Sequence, residues 1–192
     1  MDETELKIIK DMQTGDEAAF AWLFNRYQKR LFRTAYLISG NYADSEDIVQ
    51  ETMIKCFRYR QKLTEPVCFE SWLYQILTRT AWRLCKSKKV ECPTENLWDE
   101  GAQDDSPLPL DETIRMETNK RLYEAVCRLE IKQRTVVILF YYNQMSTKEI
   151  AAATKSMEGT VKSRLFAARK NLKNIWNADE TKKEALYERQ TV

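Results

Sequence analysis

The residues with the most chemistry to offer lie between positions 146 and 173. From Lys155 to Lys173 the cations Lys155, Lys162, Arg164, Arg169, Lys170 and Lys173 face a single acid, Glu158. The hydroxyls of Ser156, Thr160 and Ser163 are interleaved with them. Arg, Lys and short hydroxyl side chains are what base edges and phosphate oxygens require, so the stretch reads as a nucleic-acid surface. The bland alternative is a solvated basic helix face, and some of these cations serve only that purpose.

What favours recognition is the arrangement of the elements that carry them. Ser146 and Glu149 stand three apart, the spacing of a capping box, and they open a short helix with Ile150 and Ala151 on its apolar side. A break follows at residues 154–156. The next helix spaces Val161, Leu165, Ala168 and Leu172 by four, three and four, which is one inward stripe. Thr160, Lys162, Ser163 and Arg164 then fall partly or wholly outside that stripe, near the helix start. In a helix-turn-helix, that end of the second helix enters the major groove.

Two further helices carry charge with a pattern. In residues 42–52, YADSEDIVQET, a helix turns Ile48 and Val49 to the core and leaves Asp47, Gln50 and Glu51 on one side. Two carboxylates and an amide on a rigid edge suit a protein partner bearing Arg and Lys. Residues 69–89, FESWLYQILTRTAWRLCKSKK, carry Arg79, Arg83, Lys86, Lys88 and Lys89, with no acid after position 71. Trp72, Leu73 and Ile76 have the spacing of core residues, and Trp82 stays open between core and surface.

Composition removes several other chemistries. The chain has 192 residues, no histidine and five cysteines, Cys56, Cys68, Cys85, Cys92 and Cys127, with no C-x-x-C pair. A zinc site or a disulfide framework is poorly supported, and reduced thiols are the expected state. A Ser/His/Asp constellation cannot exist without histidine, and no Gly-rich phosphate loop is visible, so the chain reads as a non-enzyme that needs no cofactor. No apolar run approaches the ~18 residues of a membrane span. The acidic, amphipathic first ten residues lack the features of a secretory signal, which points to the cytoplasm.

The net charge of +2 conceals three regions: 15 basic and 12 acidic residues over 1–90, none and 8 over 91–112, and 16 and 9 over 113–192. The middle strip also holds Pro93, Pro107, Pro109 and Gly101, and reads as a flexible acidic linker. Scarce Gly and Pro elsewhere predict an all-α fold. We therefore expect two small helical domains, 1–90 and 113–178, joined by the linker 91–112 and followed by a tail, 179–192. The C-terminal domain would carry the helix-turn-helix.

These motifs resemble those of the RNA polymerase sigma factors, particularly the extracytoplasmic-function (ECF) group. The similarity rests on Glu149-Ile150-Ala151, on Gly159 through Leu165 with Ala168-Arg169 and Leu172, on the Asp47–Glu51 motif, and on Phe69, residues 71–74 and Ile76. It covers residues 16–90 and 115–175. It implies that Asp47, Gln50 and Glu51 meet the clamp helices of the polymerase's largest subunit. It implies that Arg79, Arg83, Lys86, Lys88 and Lys89 work at the promoter −10 element. Ser156, Thr160, Lys162, Ser163, Arg164 and Arg169 would work at the −35 element. An anti-sigma factor is the partner the resemblance adds. Two positions depart from the pattern: Arg79 stands where the family commonly has Asn, and Arg83 where it has Asp, so the usual −10 base preference does not carry over.

Two other functions fit parts of the pattern. A stand-alone helix-turn-helix regulator would usually dimerise and would footprint DNA without polymerase; the Asp44–Thr52 motif argues against it. A non-initiating adaptor that binds polymerase or an anti-sigma factor would have no use for the basic recognition helix.

Overall fold

The computed structural model describes residues 2–86 and 110–190, with side chains placed for 2–86 and 118–181. Every regular element among them is helical: α1 (Glu3–Thr14), α2 (Glu17–Ser39), α3 (Tyr42–Tyr59), α4 (Phe69–Cys85), α5 (Leu110–Cys127), α6 (Ile131–Val137), α7 (Thr147–Thr154) and α8 (Glu158–Gln190). Two short 3-10 turns, Arg60–Lys62 and Pro66–Cys68, lead from α3 into α4, and a π-helical turn, Ile138–Tyr142, extends α6. The all-α expectation is met. The predicted linker falls outside the described residues up to position 109; Leu110, Asp111 and Glu112, assigned to it above, are already the first turn of α5. Most of the tail, to Gln190, has the backbone of α8.

Local chemistry sets the boundaries. Asp16 caps α2 by accepting from the amides of Ala18 and Ala19, as its side chain and position predict. Gly40 ends α2 in the left-handed conformation that glycine adopts without a Cβ penalty. The cap of α3 is neither Asp44 nor Ser45, which side-chain type alone would allow. Asn41 fills it, accepting from the amide of Asp44 at 2.9 Å, whereas Ser45 is buried and shares a 2.9 Å hydrogen bond with Ser39. The turn after Gly40 is tight, so the first residue able to cap lies three earlier than Asp44.

α1 to α4 pack around Ile9, Met12, Leu23, Leu31, Ile38, Ile48, Leu73 and Leu77, all essentially inaccessible. α6 to α8 pack around Leu139, Ile150, Ala153, Val161 and Ala168. These are not two separate cores. The apolar cluster runs without a break from one half into the other. α4 lies along α7, and α2 lies against α6 and its π-turn.

The seam between the halves is polar as well as apolar. Asn143, 3% exposed, donates from Nδ2 to the Tyr74 hydroxyl at 2.8 Å and to the Thr34 hydroxyl at 3.0 Å. Its own carbonyl accepts from Arg30 Nη2 at 2.7 Å. Arg134, equally buried, donates from Nη1 to the carbonyl of Ile38 at 2.9 Å and from Nη2 to those of Cys127 and Leu129. Thr78 Oγ1 donates to the carbonyl of Ala153 and Gln75 Nε2 to that of Ala152, both at 2.8 Å. Trp82, left open above, is part-buried with its indole N–H on Thr135 Oγ1 at 2.9 Å. It is thus a seam residue.

Asn143→Ala would take the amide donor from the buried Tyr74 hydroxyl, while the Thr34 hydroxyl keeps its bond to the carbonyl of Arg30 at 2.8 Å. An unsatisfied buried polar group costs about 1–3 kcal/mol. Urea unfolding of the full chain should show a loss of that size, and a variant as stable as the parent would show that water replaces the amide at no cost.

Candidate nucleic-acid and protein interfaces

The helix-turn-helix is built from its cap outward. The Ser146 side chain accepts from the amide of Glu149, and the Glu149 carboxylate accepts in return from the amide of Ser146 at 2.8 Å. The Ser146 hydroxyl and amide hold the Glu149 carboxyl below the usual carboxylate range. Lys155 ends α7 in the left-handed conformation, with φ 46°, and makes the turn predicted at residues 154–156. Val161, Leu165 and Ala168 are buried as the stripe requires, with Leu172 packed beside them.

The opposite face of α8 is open. Gly159, Lys162, Ser163, Phe166, Arg169 and Lys170 are exposed, and Thr160 and Arg164 are half-buried on its flank. The cations are held by the chain itself. Arg164 Nη1 donates to Ser156 Oγ at 2.9 Å, and Lys162 pairs with Glu158 at 2.8 Å. Glu158 also accepts from Thr147 Oγ1, and its carboxyl is lowered by the Lys162 ammonium and by that hydroxyl. Arg169 Nε donates to the Tyr141 hydroxyl at 2.9 Å, with the guanidinium over the Phe140 and Tyr141 rings. These exposed contacts are weak and can be exchanged for DNA at little cost. Phe166, 72% exposed, did not enter the residue list read from the sequence. An apolar residue lying off the inward stripe was the available signal.

α3 shows the expected division. Ile48 and Val49 are buried, and Asp47 and Gln50 are exposed. Glu51 is half-buried and engaged: it pairs with Lys55 at 2.7 Å and with Arg83 of α4. The hydrogen bond from Lys55 leads in lowering its carboxyl, and the charges of Lys55 and Arg83 add to it. Ile54, 58% exposed, sits on the same face. The α4 cations divide. Arg79 and Lys86 are exposed, Arg83 is turned toward α3 by Glu51, and Lys88 and Lys89 lie outside the described residues.

Beside this edge, α2, α3 and the π-turn enclose a cleft of about 400 Å³. Phe32, Tyr36, Leu37, Val49 and Tyr142 give it an apolar floor, and Lys29, Arg33, Glu46 and Gln50 a charged and polar rim. Tyr142 comes from the C-terminal half and the others from the N-terminal half, so the sequence could not have located it. No group of metal ligands occurs among the described residues. Cys56, Cys85 and Cys127 are buried, and burial pushes the Cys56 thiol up to about 12; Cys68 is exposed. Among the described residues no helix is long and apolar enough to cross a membrane.

A helical protein with a helix-turn-helix in one half and a charged helix edge in the other belongs to the DNA-binding transcription proteins. Comparison with known proteins makes the class specific. Residues 23–90 match the model of Sigma-70 region 2, and residues 119–172 that of Sigma-70, region 4. The ECF RNA polymerase sigma factor SigM of Mycobacterium tuberculosis strain Erdman is 30% identical, over 84% of this chain and 79% of that protein. The ECF RNA polymerase sigma factor SigW of Bacillus subtilis is 29% identical, over 87% of this chain and 94% of that protein. Among solved structures, CnrH in complex with the cytosolic domain of CnrY aligns with a TM-score of 0.69 at 21% identity, over 92% of this chain and 99% of that one. The sigma factor RpoE of Bartonella quintana, in complex with the anti-sigma factor NepR, aligns at 0.58 and 24%, over 83% and 98%. At those identities the structures establish the fold. The chain belongs to the ECF RNA polymerase sigma factors, the initiation factors that direct the polymerase to promoters.

Ser146→Ala removes the cap that starts α7 and with it the reciprocal bond from Glu149. A lost cap costs about 1 kcal/mol. Thermal unfolding of the variant against the parent measures the difference.

Proposed function

We propose that Asp47 and Gln50, with Glu51 behind them, form the edge that meets the clamp helices of the polymerase's largest subunit. The N-terminal part, 1–90, would then act at the −10 element through Arg79, Lys86, Lys88 and Lys89. Arg83 would reach DNA only after leaving Glu51. The C-terminal part, 113–178, would act at the −35 element through Ser156, Thr160, Lys162, Ser163, Arg164 and Arg169. The observation that carries the reading is the pairing of an open acidic edge on α3 with an open basic face on α8 in one chain. The polymerase supplies the chemistry, so the factor itself is a recognition protein without catalytic residues, at work in the cytoplasm.

The closed arrangement bears on the mechanism. The −10 and −35 elements are about 25 base pairs apart, roughly 85 Å of duplex at ~3.4 Å per pair. α4 and α7 are in contact. Both elements cannot be engaged at once until the halves separate, and the acidic strip 91–112 would span the gap. An anti-sigma factor is the expected regulator. The cleft lined by Phe32, Val49, Gln50 and Tyr142 is its proposed seat, because a helix placed there would hold the two halves together and cover the α3 edge. The solved sigma factor RpoE, in complex with the anti-sigma factor NepR, supports this part of the reading.

Reversing charge at Asp47 and Glu51 together (Asp47→Lys, Glu51→Lys) should weaken binding to core polymerase, by about 2–5 kcal/mol if the contacts are buried there and far less at a rim. Competition against the parent for core enzyme decides it; equal competition removes this surface from the interface. For the −35 element, Lys162→Ala and Arg164→Ala should be profiled in holoenzyme on a promoter library. A lost base contact costs about 1–3 kcal/mol and relaxes preference at one position. A lost phosphate contact weakens all sequences alike. We expect at least one of the two to relax a base preference. Uniform losses in both would leave Thr160 or Ser163 as the reader.

A further inference from the structure

Of the glycines the structure describes, two have a conformational reason. Gly15 and Gly40 end α1 and α2 with φ of 105° and 76°. Gly159 has none. It is the second residue of α8, and it is not among the positive-φ positions. Apart from its chain neighbours and the backbone of its own helix, a Cβ built on it meets nothing within 4 Å. The fold therefore has room for a side chain here, and the backbone does not forbid one. Glycine also loses more freedom on ordering than alanine does, a cost that is largest in the middle of a helix.

The position of the open space gives the reason. Gly159, Ser163, Phe166 and Lys170 are separated by four, three and four residues and are all exposed. They form the outward stripe of α8, opposite the buried Val161, Leu165 and Ala168. Gly159 opens that stripe. Ser163 follows it one turn later, with its hydroxyl turned back to the carbonyl of Thr160 at 3.0 Å. Along this stripe the first two positions carry almost no side-chain bulk, with the long Lys162 set on its flank, whereas Phe166 and Lys170 further along carry a great deal. A helix that is thin at one end and thick at the other lies deepest in a groove at its thin end. The start of a recognition helix is the part that comes against base edges.

We infer that Gly159 is glycine for the sake of the promoter and not of the fold. Its missing side chain is the clearance that lets the first turn of α8 seat in the major groove of the −35 element. The inference rests on the reading of α8 as the −35 helix and adds to it a residue that acts by being absent. It sets how far Thr160, Lys162 and Ser163 reach.

The test uses the full chain with Gly159→Ala and Gly159→Leu, both good helix formers. Thermal unfolding of the free protein should be unchanged or shifted upward. Holoenzyme carrying each variant is then assayed on a promoter with its −35 element intact and on one with that element replaced. Activity on the intact promoter should fall in order of side-chain size, on the order of tenfold or more for Gly159→Leu, the size of one lost base contact. The replaced promoter should show no such order. Full activity of Gly159→Leu on the intact promoter would overturn the proposal, as would a lower melting temperature in Gly159→Ala, which would make the glycine structural. Lys162→Ala and Arg164→Ala are run alongside. If they reduce −35-dependent activity while Gly159→Leu does not, only the clearance role fails. If none of the variants does, the assignment of α8 to the −35 element fails with it.

Discussion

The unfilled carbonyls at helix C-termini are the constraint on which the joined structure depends. Every α-helix leaves its last carbonyls without an internal partner, and burying them unfilled is costly. In this chain the ends of α2, α5 and α7 all arrive at the seam between the two halves. Each end is filled there by a side chain from another helix. Arg134 reaches the carbonyls of Ile38 and Cys127, so one guanidinium closes α2 and α5 together. Thr78 of α4 fills that of Ala153 at the end of α7, and Gln75 adds a second bond to that of Ala152, which also accepts from the amide of Lys155. A cation at two helix C-termini is also favoured by the helix dipole, which offsets part of the cost of burying Arg134.

Such a seam differs from an ordinary core. Asn143, Thr34, Tyr74, Thr78 and Gln75 would each find water if the halves parted, whereas a purely apolar face would not. Interfaces between domains of one chain are characteristically more polar than cores, and domain motion is their usual consequence. A factor proposed to read two distant DNA elements needs halves that can both hold together and come apart. The polar share of the seam suits that need. The apolar cluster that runs through both halves makes the closed form stable.

The intrachain partners of the candidate DNA contacts follow the same economy. Arg164 rests on Ser156, Lys162 on Glu158 and Arg169 on Tyr141. Each is exposed or half-buried, so each contact orients a flexible side chain without binding it strongly. Glu51 links α3 to α4 through Arg83 in the same way.

The sequence by itself determined the features that depend on near neighbours along the chain. The capping box at Ser146 and Glu149, the cap at Asp16, the stripe Val161-Leu165-Ala168 and the inward turn of Ile48 and Val49 each span a few residues of one helix. Periodicity and side-chain chemistry fix them there. The residues of the acidic edge and of the recognition helix were legible for the same reason. Tertiary structure decided what joins residues far apart in the chain. It made Asn143 the partner of Thr34 and Tyr74, turned Arg83 to Glu51, put Trp82 on Thr135, and closed a cleft with Tyr142. A polar side chain of ordinary type carries no local mark of its distant partner, because the same donor serves water, a neighbouring turn or a helix end equally well. Only the packing of one helix end against another helix selects among them.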